Sequence, residues 1–303
     1  MRGSTFCLVC ALTCAFAGAA PARAACSLDP SLERTVARVV DGETLALDDG
    51  SEVRLIGALA PRAGDVRAQP GRWPPEQATV GALERLALGR TVSLAFPGDR
   101  TDRYGRLQAH VFVTLGAERI WLQAELLQRG LARAYRLRGP SPCIRELVSW
   151  ERRARTAGVG LWASPAYRVR SAYASRRLRS DTATYQLVRG RVRRVGTGRS
   201  RIYLNLKARD WPGMTVSVAR SDRDGVAALG GDLHSLVGRT VLARGWIEQR
   251  RGPAIDASGA GFVELLEPDP AVKNEARSVE RPGALEFEPY LPIGSGETRL
   301  RPP

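Results

Sequence analysis

Residues 35–57 read TVARVVDGETLALDDGSEVRLIG. Val36, Arg38 and Val40 alternate, Thr44-Leu45-Ala46-Leu47 follows, and Val53-Arg54-Leu55-Ile56 completes three short β-prone runs. Asp41-Gly42 and Asp48-Asp49-Gly50 separate them, and these are tight-turn signals, so the stretch predicts a three-stranded meander. Outward from it, residues 76–88 predict an amphipathic helix carrying Val80, Leu83, Leu86 and Ala87 on one side, closed by Gly89. Strands are expected over 91–96 and 107–113. Further helices are expected over 121–128, stopped by Gly130, and 144–156, stopped by Gly158. Five strands with interleaved helices point to a small closed barrel rather than a sandwich.

The second half repeats the β-rich character without long helices. Strands are predicted over 186–195, 202–206, 215–218, 240–248 and 254–266, with turns at Gly196-Thr197-Gly198 and Arg251-Gly252-Pro253. The fold class is therefore mainly β with helices, one OB-type barrel followed by a second OB-like β-barrel. The expected organisation is a signal peptide over 1–24, a first barrel domain over 25–165, an Arg/Ser-rich linker over 166–184, a second barrel domain over 185–267, and a proline-rich disordered tail over 268–303.

With 303 residues, 44% apolar and 25% charged, the chain can bury one or two ordinary cores, which excludes a wholly disordered protein. The formal charge is +15, and all cations except Lys207 and Lys273 are arginine. Such a surface suits an anionic partner, although the arginine bias also suits a codon preference. Arg2 precedes an apolar run from Phe6 to Ala20 that is too short to span a bilayer but long enough for a secretory signal, and Ala22-Arg23-Ala24 fits signal-peptidase cleavage. A periplasmic or secreted chain starting at Ala25 is expected. It retains Cys26 and Cys143, which predicts one disulfide. A structural zinc site is disfavoured, because no CxxC pair follows the signal and His110 and His234 stand far from either cysteine in sequence.

Val40-Asp41-Gly42-Glu43-Thr44, Val53-Arg54-Leu55-Ile56-Gly57 and Arg100-Thr101-Asp102-Arg103-Tyr104-Gly105-Arg106, in this order and spacing, resemble the staphylococcal-type thermonuclease family. Glu125-Leu126-Leu127-Gln128-Arg129-Gly130-Leu131-Ala132 and Gly160-Leu161-Trp162 extend the resemblance, which covers residues 35–163. It implies an OB-type barrel in which calcium and two arginines grip a phosphodiester while a carboxylate activates water. Carboxylates suit a hard cation, and guanidinium forks suit phosphate.

Carried over, the resemblance places Arg54 and Arg106 on the phosphate-gripping arginines, Asp41 on an accessory acid and Glu43 on a calcium-binding aspartate. Tyr104 and Tyr135 fall near the aromatics around the bound nucleotide. The catalytic candidates are thus Arg54, Arg106 and Glu43, the ligand-binding candidates Arg54, Tyr104, Arg106 and Tyr135, and the metal candidates Glu43 and Asp41. The family's Asp-Thr/Ala-Pro-Glu segment reads Leu59-Ala60-Pro61-Arg62 here. Leucine supplies no oxygen ligand, and arginine accepts no proton from water. Calcium is therefore doubtful, and a dismantled metal site is expected, although Asp65 and Glu76 are nearby acids that could fold back. The same reasoning predicts that Leu59→Asp with Arg62→Glu restores calcium-dependent cleavage.

In the second half, Arg191, Arg193, Arg194, Arg199 and Arg201 surround the Gly196–Gly198 turn beside Tyr203 and Trp211. Arginines interleaved with aromatics suit single-strand binding, whereas a solvated basic face over a core containing Tyr203 and Trp246 explains them equally. The leading expectation is an exported protein that binds DNA, RNA or another phosphate-rich ligand with weak or no calcium-dependent hydrolysis. The alternatives are an active phosphodiesterase with an altered metal site and an envelope interaction module.

Overall fold

The meander forms as the sequence predicts: β1 (Leu32–Asp41), β2 (Thr44–Leu47) and β3 (Glu52–Leu55) pair antiparallel in order. The computed structural model describes residues 28–66, 72–136, 143–206, 213–227, 229–259 and 261–266. β4 (Ala58–Leu59) and helix α1 (Pro74–Ala87) follow, then β5 (Thr91–Ala95), β6 (Leu107–Leu115), β7 (Glu118–Trp121) and α2 (Leu122–Gln128). β5 pairs antiparallel with β1 and β6, and β3 pairs parallel with β6, Val53 opposite Leu107. These pairings close a five-stranded barrel, β1-β2-β3-β6-β5, with β7 added at the outside of β6.

Its interior is the alternate set Val36, Leu45, Leu47, Val53, Leu55, Val92, Leu94, Ala109, Val111 and Val113, all buried, which is the period-two pattern of strands with one face inward. The short β8 (Arg133–Ala134) pairs with β4, and α3 (Ile144–Ala157) ends in the left-handed Gly158 expected from sequence. β7 and the β4–β8 pair were not anticipated. Both are too short for a period to register, and β7 ends in the tryptophan expected to open α2.

Residues 166–184, expected to be a linker, are built into the core. β9 (Arg170–Ser171) pairs parallel with the next strand, α4 is Ser175–Ser180, and Tyr167, Ala172 and Leu178 are buried. Only one apolar side chain per short element faces inward, which leaves no periodicity to read. The β-rich second half contains β10 (Tyr185–Arg191), β11 (Arg194–Thr197), β12 (Arg201–Asn205), β13 (Thr215–Ala219), the short helix α5 (Arg223–Ala227), β14 (Thr240–Trp246), β15 (Glu248–Gln249), β16 (Pro253–Asp256) and β17 (Val263–Leu266). Two sheets are formed, β17-β14-β10-β9 and β11-β12-β13-β16-β15.

The described residues up to Leu266 cluster as one compact unit. Two features join the first barrel to the second half. Leu59, Trp162, Tyr167, Tyr185, Leu187 and Leu242 share one apolar cluster, with Tyr135 packed against it. Beside it lies a buried ionic cluster. Arg244 of β14 is 0% exposed and binds Glu151 of α3 at 2.7 Å and Glu264 of β17, while Arg155 reaches Glu151 at 2.8 Å. Burial would raise the Glu264 pKa, but the positive charges of Arg244, Arg155 and Arg152 outweigh it and hold the carboxyl below its usual value. The expected signal peptide, Cys26 and the expected tail lie outside the described residues.

Candidate functional site

The site begins at the β1–β2 turn. Asp41 accepts a hydrogen bond from Glu43 N at 2.7 Å, which tightens the turn from within. A Cβ on Gly42 would stand 2.6 Å from Ala60 Cβ, so only glycine lets this turn press against the segment after β4. That approach takes the Glu43 carboxylate, 1% exposed, to the Ala60 backbone, whose N–H donates to Oε1 at 3.0 Å.

The other carboxylate oxygen, Oε2, receives two guanidinium groups, Arg54 Nη2 at 3.1 Å and Arg62 Nη2 at 3.2 Å. Arg62, at the position of the expected base, is thus a cation beside the expected metal ligand. Burial alone would lower its pKa, but the charges of Glu43, Asp41 and Asp65 outweigh this and raise it, so the group stays charged. Sequence reasoning saw Arg62 as a loss. Its new role as partner to Glu43 depends on a contact across 19 residues that no local pattern announces.

Leu59 is buried at the other expected ligand position, in the apolar cluster with Trp162, Tyr185 and Leu187. It is a packing residue between the first barrel and the second half. Leu59→Asp would therefore put a carboxylate among apolar groups, so the two-residue repair expected from sequence carries a folding cost that the sequence alone did not show. The nearby acids are also committed. Asp65 accepts from Arg133 Nη2 at 2.7 Å and from the Tyr167 hydroxyl at 3.1 Å, and Glu76 accepts from Ala63 N at 3.3 Å.

Calcium does not fit this donor set. The cation takes six to eight oxygen ligands, whereas the Glu43 oxygens face one amide and two guanidinium groups and the neighbouring ligand position is leucine. Among the described residues, no group of three or more His, Cys, Asp and Glu side chains is placed to hold a metal.

Arg106 immediately precedes β6. In the parallel β3–β6 register Arg54 stands opposite Gln108, so Arg106 lies on the same face as Arg54, one diagonal step away. Asp102 fixes its guanidinium through Arg106 Nε at 2.9 Å and Nη2 at 2.7 Å. Desolvation would raise the Asp102 pKa, but hydrogen bonds from Arg106 and from the Tyr104 and Arg106 amides outweigh it and hold it low, so the pair stays ionised.

Tyr104 is exposed, with Arg103 and Arg106 over its ring at 4.7 and 5.4 Å. Tyr135 instead packs edge-on to Tyr185, ring centres 5.5 Å apart, and close to Trp246. The structure thus brings Asp41, Glu43, Arg54 and Arg62 together, sets Tyr104 and Arg106 in the turn that leads into the adjoining strand β6, and turns Tyr135 toward the second half. Cys143 is buried at the start of α3. His110 is buried edge-on to Trp121 at 5.1 Å, and burial lowers its pKa to about 4.

A five-stranded barrel closed by a parallel β3–β6 pair defines an OB-type fold. Residues 52–164 match the family model for staphylococcal nuclease homologue, so this part of the chain is similar to that family. A search of curated proteins found no match. The domain ties the chain to a nucleic-acid-related function. Among the described residues no helix is long and apolar enough to cross a membrane.

Proposed function

We propose that this chain is an exported protein whose first barrel binds nucleic acid through Arg54 and Arg106, with little or no calcium-dependent hydrolysis. The observation that carries the reading is the state of Glu43. Its carboxylate is taken up by Arg54, Arg62 and Ala60 N, so the residue that could ligate a metal is instead the anchor of an arginine pair. Arg54 and Arg106 are 20% and 25% exposed, enough to present N–H groups to phosphate oxygens while their carboxylate partners hold their orientation. With Arg62 in the base position, no carboxylate stands there to draw a proton from water.

Export rests on the h-region and the Ala22-Arg23-Ala24 pattern, and a Cys26–Cys143 disulfide belongs to the same reading. N-terminal sequencing of the envelope fraction should find Ala25, and thiol titration of the unreduced chain should find no free cysteine. The functional experiment is oligonucleotide binding at several salt concentrations, together with cleavage in calcium, magnesium, manganese and chelator. Salt-dependent binding is expected, with no metal giving more cleavage than chelator. Metal-stimulated cleavage lost in Arg54→Ala would establish a working phosphodiesterase instead. Absence of binding at low salt would favour the envelope module.

A further inference from the structure

The second half carries a cleft of about 830 Å³ lined by Arg193, Arg194, Tyr203, Ser217, Arg250 and Arg251 among others. Its floor is the outer face of the sheet β11-β12-β13-β16. Leu204, Val216, Val218 and Ile255 are buried in the core, so the alternate residues face outward. The cross-strand register aligns them in two rows, Arg194-Asn205-Thr215-Ala254 and Gly196-Tyr203-Ser217-Asp256. Tyr203 is the only aromatic in these rows. Its cross-strand neighbours among the described residues are small, glycine on one side and serine on the other.

The charges are placed at the two rims. Arg193 and Arg194 stand on one side and Arg250 and Arg251 on the other, all exposed. Arg250 pairs with Glu248 at 3.0 Å, and Arg201 is held by Asp256 and the Ser217 hydroxyl. The side chains of Arg193, Arg194 and Arg251 make no ion pair or hydrogen bond to another described residue. Three unneutralised guanidinium groups around one half-buried aromatic ring that lines the cleft form a receptor for a chain that offers phosphates at its edge and flat rings at its centre.

The connectivity gives independent support. β10 and β11 are separated only by Val192 and Arg193, and β14 and β15 only by Ile247. Taken as two bent strands, they pair in the same circuit as the first barrel, with β13 parallel to β16 as β3 is to β6. In that circuit the cleft lies on the second and third strands beside the turn between the last two, the face on which OB-type barrels take up oligonucleotides.

We propose that this cleft is a second, separate site for single-stranded nucleic acid, which stacks a base on Tyr203 and sets phosphates against Arg193, Arg194 and Arg251. The proposal does not depend on binding at Arg54 and Arg106. The test uses the full chain carrying Arg54→Ala and Arg106→Ala, so that the first barrel is silenced, and a fluorescein-labelled twelve-residue oligothymidylate read by anisotropy. Binding should persist in this background. Adding Arg193→Ala, Arg194→Ala and Arg251→Ala should weaken it at least tenfold and lower the slope of log affinity against log salt by about 2, from about 0.7 per lost phosphate contact.

Tyr203→Leu should weaken the oligonucleotide about tenfold while leaving inorganic polyphosphate within twofold. Tyr203→Phe, which keeps the ring, should bind as the parent does and excludes a folding artefact. Loss of all binding in the starting background, or unchanged affinity after removal of the three arginines, overturns the proposal. Equal loss of oligonucleotide and polyphosphate in Tyr203→Leu overturns the nucleic-acid assignment in favour of a bare phosphate chain.

Discussion

Two carboxylate–arginine clusters in this molecule have nearly the same composition and opposite surroundings. Around Glu43, Arg54 and Arg62 are 20% and 53% exposed, so the guanidinium groups that hold the carboxylate also face water. Around Glu151 and Glu264, Arg244 is sealed at 0% and Arg155 is 14% exposed, and only the outer partner of Glu264, Arg152 at 58%, faces water. The first arrangement can exchange partners with an incoming phosphate. At the centre of the second Arg244 cannot, and its charge and those of Glu151 and Glu264 must be matched within the protein. Exposure, rather than the number of arginines, separates binding from structure in a chain whose cations are almost all arginine.

The comparison predicts its largest effect at the sealed cluster. Arg244→Leu leaves Glu151 and Glu264 buried with less than their share of positive charge and should cost about 3 to 5 kcal/mol of stability. Urea denaturation of the purified variant reads this directly, and a loss under 1 kcal/mol would mean that water reaches the cluster.

Acid gives the next effect. The unfolded chain protonates His110 near pH 6.5, whereas the folded chain keeps it neutral down to about 4. Its contribution is therefore fully present above pH 6.5 and is lost as pH falls toward 4, by about 3 kcal/mol at most. Denaturant midpoints between pH 7 and 4 should fall in the parent and flatten in His110→Gln. An equal fall in that variant would assign the acid sensitivity to another group.

At the open cluster, Arg54→Ala or Arg106→Ala should weaken oligonucleotide binding to the first barrel by about 1.5 to 3 kcal/mol each with little change in fold. Isothermal titration in an Arg193→Ala, Arg194→Ala, Arg251→Ala background isolates this term. The smallest effect belongs to Arg62→Ala. Half exposed and paired to a carboxylate that keeps Arg54 and Ala60 N, it should change stability by about 1 kcal/mol or less. A loss comparable to that of Arg244→Leu would erase the distinction between the two clusters.

The meander, α1, α2 and α3 were legible because strong periods and turn or cap residues agree there. Gly158 in the left-handed conformation after α3 and the Asp41-Gly42 turn are of this kind. Arg54, Arg106, Glu43 and Asp41 were legible because motif spacing places them on adjacent strands and turns. The partners of Arg62, Asp65 and Arg244 were not, since each pairs across a long stretch of chain and an isolated arginine looks the same whether it is buried or solvated. Leu59 had the same ambiguity: its identity announced a missing ligand, but only packing against Tyr185 and Leu187 shows what replaced it. The Arg251-Gly252-Pro253 corner was read as a turn alone, because its place opposite Arg193 and Arg194 is set by strand crossing.

The closing pair of the first barrel also fixes an order of assembly. β1, β2 and β3 meet through short turns, so Glu43 and Arg54 can find each other while the rest of the chain is still unfolded. Val53 must wait for Leu107, 54 residues further on, before β3 and β6 join and bring Arg106 alongside. Bringing distant segments together is the slow part of building such a sheet, because loop entropy must be overcome before the contact stabilises anything. For a chain emerging from its N-terminus, the carboxylate–arginine anchor forms early and the face that carries both Arg54 and Arg106 is finished late. Refolding rates should accordingly respond more to substitutions in the meander, such as Leu45→Ala, than to Val111→Ala in β6; the reverse order would place the nucleus at the closing seam.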